Sequence, residues 1–554
     1  MLSNRQHTAT AFILALVCLY AIRLTSIEVQ PWDEGLYAVR GQSIAQFGNW
    51  ADQTQHTIGG LYSSTPPPML PWAIAGTMTV FGQTVAAVRL FSLFSAGISF
   101  LLLYLIALRM LSFRSSILAV CVLAGCMHWT IYSRQAMTEV PLMMFVLLAI
   151  WASLKVIEAT SSRDAWLYAV LGGCAFGAAL HTKMIVSFLP LFIFVLFACR
   201  TKNYVRHFAL ACVVGLALAL PWYTMMVLKH GEEFWHALTI PQITSEVEGN
   251  APWLGVFYYI NQMFVSHPLL LVSLVWVLFS LWKRQLIVTH SPIAYVAMIL
   301  WFVFGMVIFS FAPTKNSHYI VMLLPAAVLV SVYGLERLVA EAPRRFVLGV
   351  YCGLAMLTLW SVMPGLRESL RSFHADASTL PFVSVFILLC VLPFVLPKRM
   401  TLTLSVTLFK PVVNGLVAIM VLRSLWLIVI EPPPMIRGGR EIASVLNEST
   451  ARSFGYVYHE QNAGDKFNPQ LAWYTDGWMA GWISGRTVSP FAMNRDAAND
   501  VYLSQAATSG LPYIVYYHPG VSSQIQERVG SVLQLGYNKV YTASKHYTLY
   551  EYRF

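Results

Sequence analysis

Charge is the scarcest thing in this chain. Only 11% of its 554 residues are Asp, Glu, Lys or Arg, against roughly 25% in soluble globular proteins, which excludes a water-soluble enzyme of this length. Set beside 57% hydrophobic residues, the same shortage excludes disorder, collagen and coiled coil. The eight cysteines (Cys18, Cys121, Cys126, Cys174, Cys199, Cys212, Cys352 and Cys390) lack CxxC or zinc-ligand spacing. No disulfide framework is indicated, and most sit in apolar runs as small hydrophobes. There is no P-loop and no GxGxxG, so nothing points to a bound nucleotide. No A-x-A-like site follows the first apolar run, in MLSNRQHTATAFILALVCLYAIRLTS, which reads as an uncleaved first helix.

What is present is apolar length. Mean hydropathy is +0.62, and about 20 apolar residues at 1.5 Å each cross a bilayer core of about 30 Å. Runs of that kind fall near 9–27, 84–108, 115–131, 135–154, 165–180, 184–199, 207–228, 263–282, 291–311, 319–335, 346–363, 381–396 and 403–430. The fold class expected is a polytopic α-helical membrane protein of about 13 transmembrane helices.

The formal charge of +11 suggests nucleic acid until the charges are located. Residues 431–554 hold 10 basic and 10 acidic residues, so the excess lies in the hydrophobic part, 26 against 15. There it is a topology signal and a headgroup contact, with no nucleic-acid partner. With the N-terminus in the cytoplasm, the inside loops carry 15 Lys/Arg in about 56 residues and the outside loops seven in about 121, the asymmetry of the positive-inside rule. Residues 1–430 then form the membrane domain. Residues 431–554 form a small α/β domain on the outer, periplasmic side of the inner membrane, with strand-like runs FGYVYH, YIVYYH and KVYTASKHYTLYEYRF. Two outer stretches, 28–82 and 229–262, are aromatic and proline-interrupted or amphipathic, and read as interfacial helices.

Acidic residues of the membrane part concentrate outside. Asp33 and Glu34 follow span 1, and Glu139, in YSRQAMTEVP, opens span 4. A carboxylate at an apolar–aqueous boundary is pushed toward protonation and suits a general base. The plainer readings are an acidic helix start behind the belt residue Trp32, and a helix cap at Glu139. At the same depth lie Tyr62 before Thr65-Pro66-Pro67, His181-Thr182-Lys183, Pro221-Trp222-Tyr223, and Lys315 with His318 and Tyr319. Lys183 and Lys315 stand on the side that should be poor in base, where an ammonium can meet lipid phosphate or simply be solvated. Arg23, Arg89, Lys410 and Arg423 lie in or near apolar spans, where charge is costly; Arg23 and Arg89 are expected to snorkel outward or meet phosphate.

In this order the D-E pair, the R…E stretch, the T-K, the P-W-Y and the T-K-x-x-H-Y resemble the GT-C lipid-linked-sugar glycosyltransferases, nearest the lipid A aminoarabinose transferases and protein O-mannosyltransferases. The resemblance covers residues 9–430; the tail is similar in position and size. It implies that Asp33 is the catalytic acid of the first outer loop, with Glu34 beside it, and that Glu139 is the second acidic position, usually Asp. It places Tyr37, Tyr62, Arg134, Lys183, Lys315, His318 and Tyr319 at the donor and its phosphate. The chain departs from the aminoarabinose enzymes at Leu36, where they carry Arg, and at Ser64 and Thr65, where they carry Glu and Lys. These departures count against a bound divalent metal, zinc included, and against aminoarabinose as the sugar; no other cofactor is expected.

The activity implied is transfer of a sugar from a polyprenyl phosphate to a hydroxyl or phosphate of a lipid, glycan or protein, with inversion. Two other classes share the composition: a lipid-linked-sugar flippase or transporter, and a non-catalytic envelope assembly factor. Transporters more often show repeats and polar residues at the midplane, whereas here the polar clusters sit at the outer edge.

Overall fold

In the computed structural model the described residues are chiefly 4–58, 60–184, 186–188, 204–243, 257–272, 292–311, 315–341, 436–451, 453–459, 468–475, 487–493 and 501–553. The runs expected at 346–363, 381–396 and 403–430, and most of 184–199, lie outside them. Among the described residues, and besides two shorter pieces at Leu61–Ser64 and Met127–Tyr132, the helices of the membrane part are α1 Asn4–Ala21, α2 Asp33–Phe47, α3 Met69–Phe81, α4 Val85–Ala107, α5 Phe113–Ala124, α6 Glu139–Glu158, α7 Ser162–Leu180, α8 Tyr204–His230, α9 Glu232–Ile243, α10 Tyr258–Ser266, α11 Pro292–Phe311 and α12 Leu324–Glu341. Among the described residues four helices are long and apolar enough to cross a bilayer: α4, α6, α8 and Ile293–Phe311 of α11.

The run read as one span over 115–131 is broken. Gly125 closes α5, and a second short helix, Met127–Tyr132, follows. The run at 319–335 likewise opens with a 3-10 turn, Ser317–Met322, before α12. Both breaks bring irregular backbone near Glu139: Tyr132 and His318 meet edge-on at 6.0 Å, and His318 Nε2 lies 3.7 Å from the Glu139 carboxylate.

Helix α1 is tied to α5 by Tyr20, whose hydroxyl donates to the Ala124 carbonyl at 2.7 Å. Helices α7 and α8 approach through small residues. A Cβ added at Gly173 would lie 2.7 Å from the Ala211 carbonyl oxygen, and one at Gly177 2.9 Å from that of Gly215. This is the small-xxx-small packing by which helices associate where lipid removes the hydrophobic drive, and it fixes the end of α7 that leads to Lys183.

The tail folds as helix α13 Gly439–Glu448, strand β1 Ser453–His459, helix α14 Pro469–Tyr474, β2 Thr487–Met493, α15 Val501–Ala507, β3 Tyr513–Tyr517, α16 Ser523–Leu533, β4 Tyr537–Ala543 and β5 Tyr547–Tyr552. The sheet order is β2-β1-β3-β5-β4, with β1 parallel to β2 and β3, and β5 antiparallel to β3 and β4. Alternation sorts the side chains. Phe454, Tyr456, Val515, Tyr517 and Leu549 face α13 and α14, while Val457, Ile514, Tyr516 and Tyr550 face α15 and α16. Strand β2 carries Pro490 opposite Tyr456, which the ladder tolerates because β2 is an edge.

Candidate active site

The segment from α1 to α2 is held from below by one arginine. Arg89, 1% exposed on α4, forks onto Glu34 with Nε to Oε1 at 2.7 Å and Nη2 to Oε2 at 2.8 Å. Its three other N–H groups donate to the carbonyls of Leu24 (2.7 Å), Ile27 (2.9 Å) and Glu28 (2.9 Å). All five donors of the guanidinium are used. Glu34 also accepts the backbone N–H of Gln30 at 2.7 Å and of Ala136 at 2.9 Å. A buried ion pair this completely bonded is neutral and satisfied, the condition under which burial is tolerated. Arg89 therefore neither snorkels nor faces a phosphate, contrary to the sequence expectation. Its partner Glu34, read among the catalytic candidates, has four donors on its carboxylate.

Asp33, one residue earlier, is placed differently. No described group donates a hydrogen bond to its carboxylate, which is reached by solvent although charged groups of other segments stand near it. Burial raises its pKa above the ordinary value, as does the Glu139 charge, while His318 and Lys183 pull it down. The residue before it, Trp32, has φ 58° and ψ −101°, a left-handed conformation that a bulky side chain rarely adopts.

Facing Asp33 are side chains from three other segments. Glu139, 1% exposed at the start of α6, binds Lys183 Nζ at 2.8 Å through Oε1, and His318 Nε2 lies 3.7 Å from the same oxygen. The Lys183 ammonium sits 4.6 Å over the Tyr319 ring. Burial opposes the charge on Lys183, but the Glu139 carboxylate outweighs it and holds the ammonium above its ordinary range. His318 is pushed down by burial. The other oxygen of Glu139, Oε2, is buried with no hydrogen-bond partner among the described residues. Buried acceptors are otherwise almost always paired.

The remaining candidates divide. Tyr37 lies one turn along α2 from Asp33, and burial pushes its phenol up. Tyr62 falls in a helical turn, Leu61–Ser64, but its side chain lies outside the described residues. Arg134 caps α1, with Nη1 donating to the carbonyls of Tyr20 (2.7 Å) and Ile22 (2.8 Å). Lys315 donates to the last carbonyls of α11, Phe309 at 3.0 Å and Ser310 at 2.6 Å. Among the described residues no three His, Cys, Asp or Glu side chains group closely enough to hold a metal ion.

Sequence reasoning missed Arg40 and Tyr132. Arg40, fully buried one turn after Tyr37, pins the following loop by donating to Gln53 Oε1 at 2.9 Å and the Pro66 carbonyl at 2.9 Å; burial lowers its pKa to about 10. Its i+3 spacing from Tyr37 was the available signal. Tyr132 stacks edge-on with His318 at 6.0 Å. The loop that Arg40 pins is fastened again by Trp72 Nε1 to the Trp50 carbonyl (2.6 Å) and Trp222 Nε1 to the Ala51 carbonyl (2.8 Å), which gives the P-W-Y motif its work.

The sequence matches the family described as dolichyl-phosphate-mannose-protein mannosyltransferase over residues 65–224. It is 27% identical over 353 residues to the undecaprenyl phosphate-alpha-4-amino-4-deoxy-L-arabinose arabinosyl transferase of Pseudomonas paraeruginosa, covering 60% of this chain and 61% of that one. To a second such transferase, of Pseudomonas fluorescens, it is 28% identical over 398 residues, 68% of each chain. In structure it is similar to ArnT from Cupriavidus metallidurans bound to undecaprenyl phosphate, with TM-score 0.65 at 17% identity over 98% of this chain and 97% of that one. It is also similar to the archaeal oligosaccharyltransferase AglB from Archaeoglobus fulgidus, with TM-score 0.55 at 10% identity over 99% and 74%. The chain thus carries the GT-C fold of the lipid-linked-sugar glycosyltransferases and is similar to their aminoarabinose-transferase branch.

Proposed function

We propose that this chain is an inverting glycosyltransferase of the inner membrane, moving a sugar from a polyprenyl phosphate to an acceptor hydroxyl at the periplasmic face, with Asp33 as general base. The observation that carries the reading is the contrast between neighbours. Glu34 is saturated by four donors, whereas Asp33, surrounded by protein but open to solvent, has none among the described residues. A base must keep a lone pair for the proton it takes.

The acceptor O–H gives its proton to Asp33 as its oxygen attacks the anomeric carbon from the face opposite the phosphate. The bond from that carbon to the phosphate oxygen breaks, and the polyprenyl phosphate leaves with the electron pair. Lys183 supplies the compensating charge. Its bond to Glu139 uses one of three N–H donors, and Tyr319 holds the ammonium in place. The orphan oxygen Oε2 of Glu139 is suited to accept a hydroxyl of the incoming sugar. General-base assistance contributes roughly 10²–10⁴-fold, and one preorganised charge at the leaving group about 10²–10³-fold.

The donor class rests on relatives named for undecaprenyl-phosphate sugars and on a neighbour that holds undecaprenyl phosphate. Within the region that differs from the aminoarabinose enzymes, Ser64 and Thr65 are buried at 1% and 2% exposure. With hydroxyls in place of Glu and Lys, the site favours a sugar without that branch's amino group.

The test is lipid extraction and native mass spectrometry of the purified protein, beside transfer assays on wild type and Asp33→Asn. The expected result is a polyprenyl phosphate or its sugar ester bound to both proteins, with turnover at least about 10²-fold lower in the variant. Transport of the lipid with full activity in Asp33→Asn would refute it.

A further inference from the structure

The C-terminal unit has no part in the chemistry just described, yet it grips the catalytic segment on both sides of Asp33. On the N-terminal side Glu28 reaches across to the start of α13. Its Oε1 accepts the N–H of Gly438 at 3.1 Å and its Oε2 that of Arg440 at 3.2 Å. The first N–H groups of a helix lack internal partners and attract a carboxylate. Helix α13 cannot supply its own cap side chain: its N-cap is Gly438 at φ 105°, where an added Cβ would lie 2.6 Å from the Ala543 carbonyl oxygen. The cap therefore comes from a residue 410 positions earlier.

Two further bonds lie beside it. The Val29 N–H donates to the Tyr474 hydroxyl at 2.9 Å, and Gln30 Nε2 donates to the Ile436 carbonyl at 3.3 Å. On the C-terminal side of Asp33, a Cβ at Gly35 would sit 2.6 Å from the Gln470 backbone nitrogen, so α2 and α14 meet backbone to backbone. Ala472 and Trp473 share one core with Tyr37, Ala38 and Val39. Between these grips lies Trp32, whose left-handed backbone aims the next residue and persists only where its surroundings over-determine it.

We infer that the C-terminal unit is a positioning element of the active site, holding the 28–36 segment through the Glu28 cap and thereby fixing the orientation of Asp33. The inference rests on the reading of Asp33 as the base, and it assigns Glu28 a role in positioning only. Arg89 holds the segment from the membrane side and the tail holds it from the other. Loss of the cap frees the Trp32 backbone, and Asp33 samples directions away from the facing Glu139, Lys183, His318 and Tyr37.

The experiment uses full-length wild type, Glu28→Ala, Glu28→Asp and Asp33→Asn in detergent, with undecaprenyl phosphate as the added probe. Hydrogen exchange is read at the Gly35 and Leu36 amides, which bond to the Gln30 and Trp32 carbonyls at 3.1 and 2.7 Å. Carbodiimide labelling of Asp33 is followed against pH. In Glu28→Ala those amides should exchange at least about tenfold faster and the labelling midpoint of Asp33 should fall. Undecaprenyl phosphate should still bind, turnover should drop with donor KM held within about twofold, and Glu28→Asp should recover most of the loss. Faster exchange confined to 439–448, with Asp33 labelling unchanged, would make Glu28 a brace of the tail alone and overturn the inference. Full turnover in Asp33→Asn would instead sink the base assignment, whatever Glu28 does.

Discussion

Arg89→Ala offers the sharpest test of how the site is built. The substitution strands the Glu34 carboxylate at 1% exposure, and removing one partner of a buried pair costs about 3–5 kcal/mol. It also takes the donors from the carbonyls of Leu24, Ile27 and Glu28, each worth about 1 kcal/mol when a bond is lost and water replaces it. Glu34→Gln keeps an acceptor and leaves Arg89 its three carbonyls, but strands the buried guanidinium charge, so its cost falls in the same range of about 3–5 kcal/mol. The double variant Arg89→Ala/Glu34→Gln leaves no stranded charge and should be more stable than Arg89→Ala alone, with a coupling of about 2–3 kcal/mol. The four proteins would be unfolded reversibly in mixed dodecyl sulfate and maltoside micelles, followed by tryptophan fluorescence. If Arg89→Ala unfolds within about 1 kcal/mol of wild type, or the cycle shows no coupling, the pair does not hold the segment and the account of Glu34 as a structural acid fails.

Lys183→Met removes the charge assigned to the leaving phosphate and should lower turnover about 10²–10³-fold with a weaker donor KM; a change in KM alone would confine Lys183 to binding. Asp33 also predicts a stability profile. Its carboxyl is raised above the ordinary 3.8 by burial, so the stability it confers is full below the unfolded pKa and lost as pH rises through the folded value. Asp33→Asn should therefore raise the thermal midpoint at pH 7 and change it little at pH 4, while abolishing transfer; equal shifts at both pH values would show that desolvation of this carboxylate is not the cause.

The class of the protein was legible because solvent sets it: few charges and long apolar runs leave only a helical membrane protein. The strands β1, β3, β4 and β5 fall in the Tyr- and Val-rich runs FGYVYH, YIVYYH and KVYTASKHYTLYEYRF, and β2 was not legible, since Pro490 interrupts it and only an edge strand tolerates that. The breaks at Gly125 and at Ser317–Met322 were hidden inside continuous hydropathy. Windows average over about 19 residues, and a six-residue 3-10 turn does not lower the mean. Lys315 and Arg134 were read by residue type alone. A basic residue near a helix end serves the last carbonyls as readily as a phosphate, and both do so here.

The pair Asp33-Glu34 shows where sequence reasoning stops and what would have carried it further. Consecutive residues on a helix point about 100° apart, so two adjacent acids cannot share one environment, and nothing in the dipeptide says which meets Glu139 and Lys183. The missing premise was Arg89, an arginine near the start of an apolar run, whose burial sequence alone does not show. A guanidinium buried in that setting requires a carboxylate within bonding reach, and the acids nearest in topology are those that follow α1. One of the two therefore had to be consumed. The longer Glu spans from the start of α2 to α4, and its commitment to Arg89 turns the first face of α2 so that Asp33 meets Glu139, Lys183 and His318. The ion pair is thus the step by which a costly buried arginine orients the neighbouring Asp33, the residue proposed as the base.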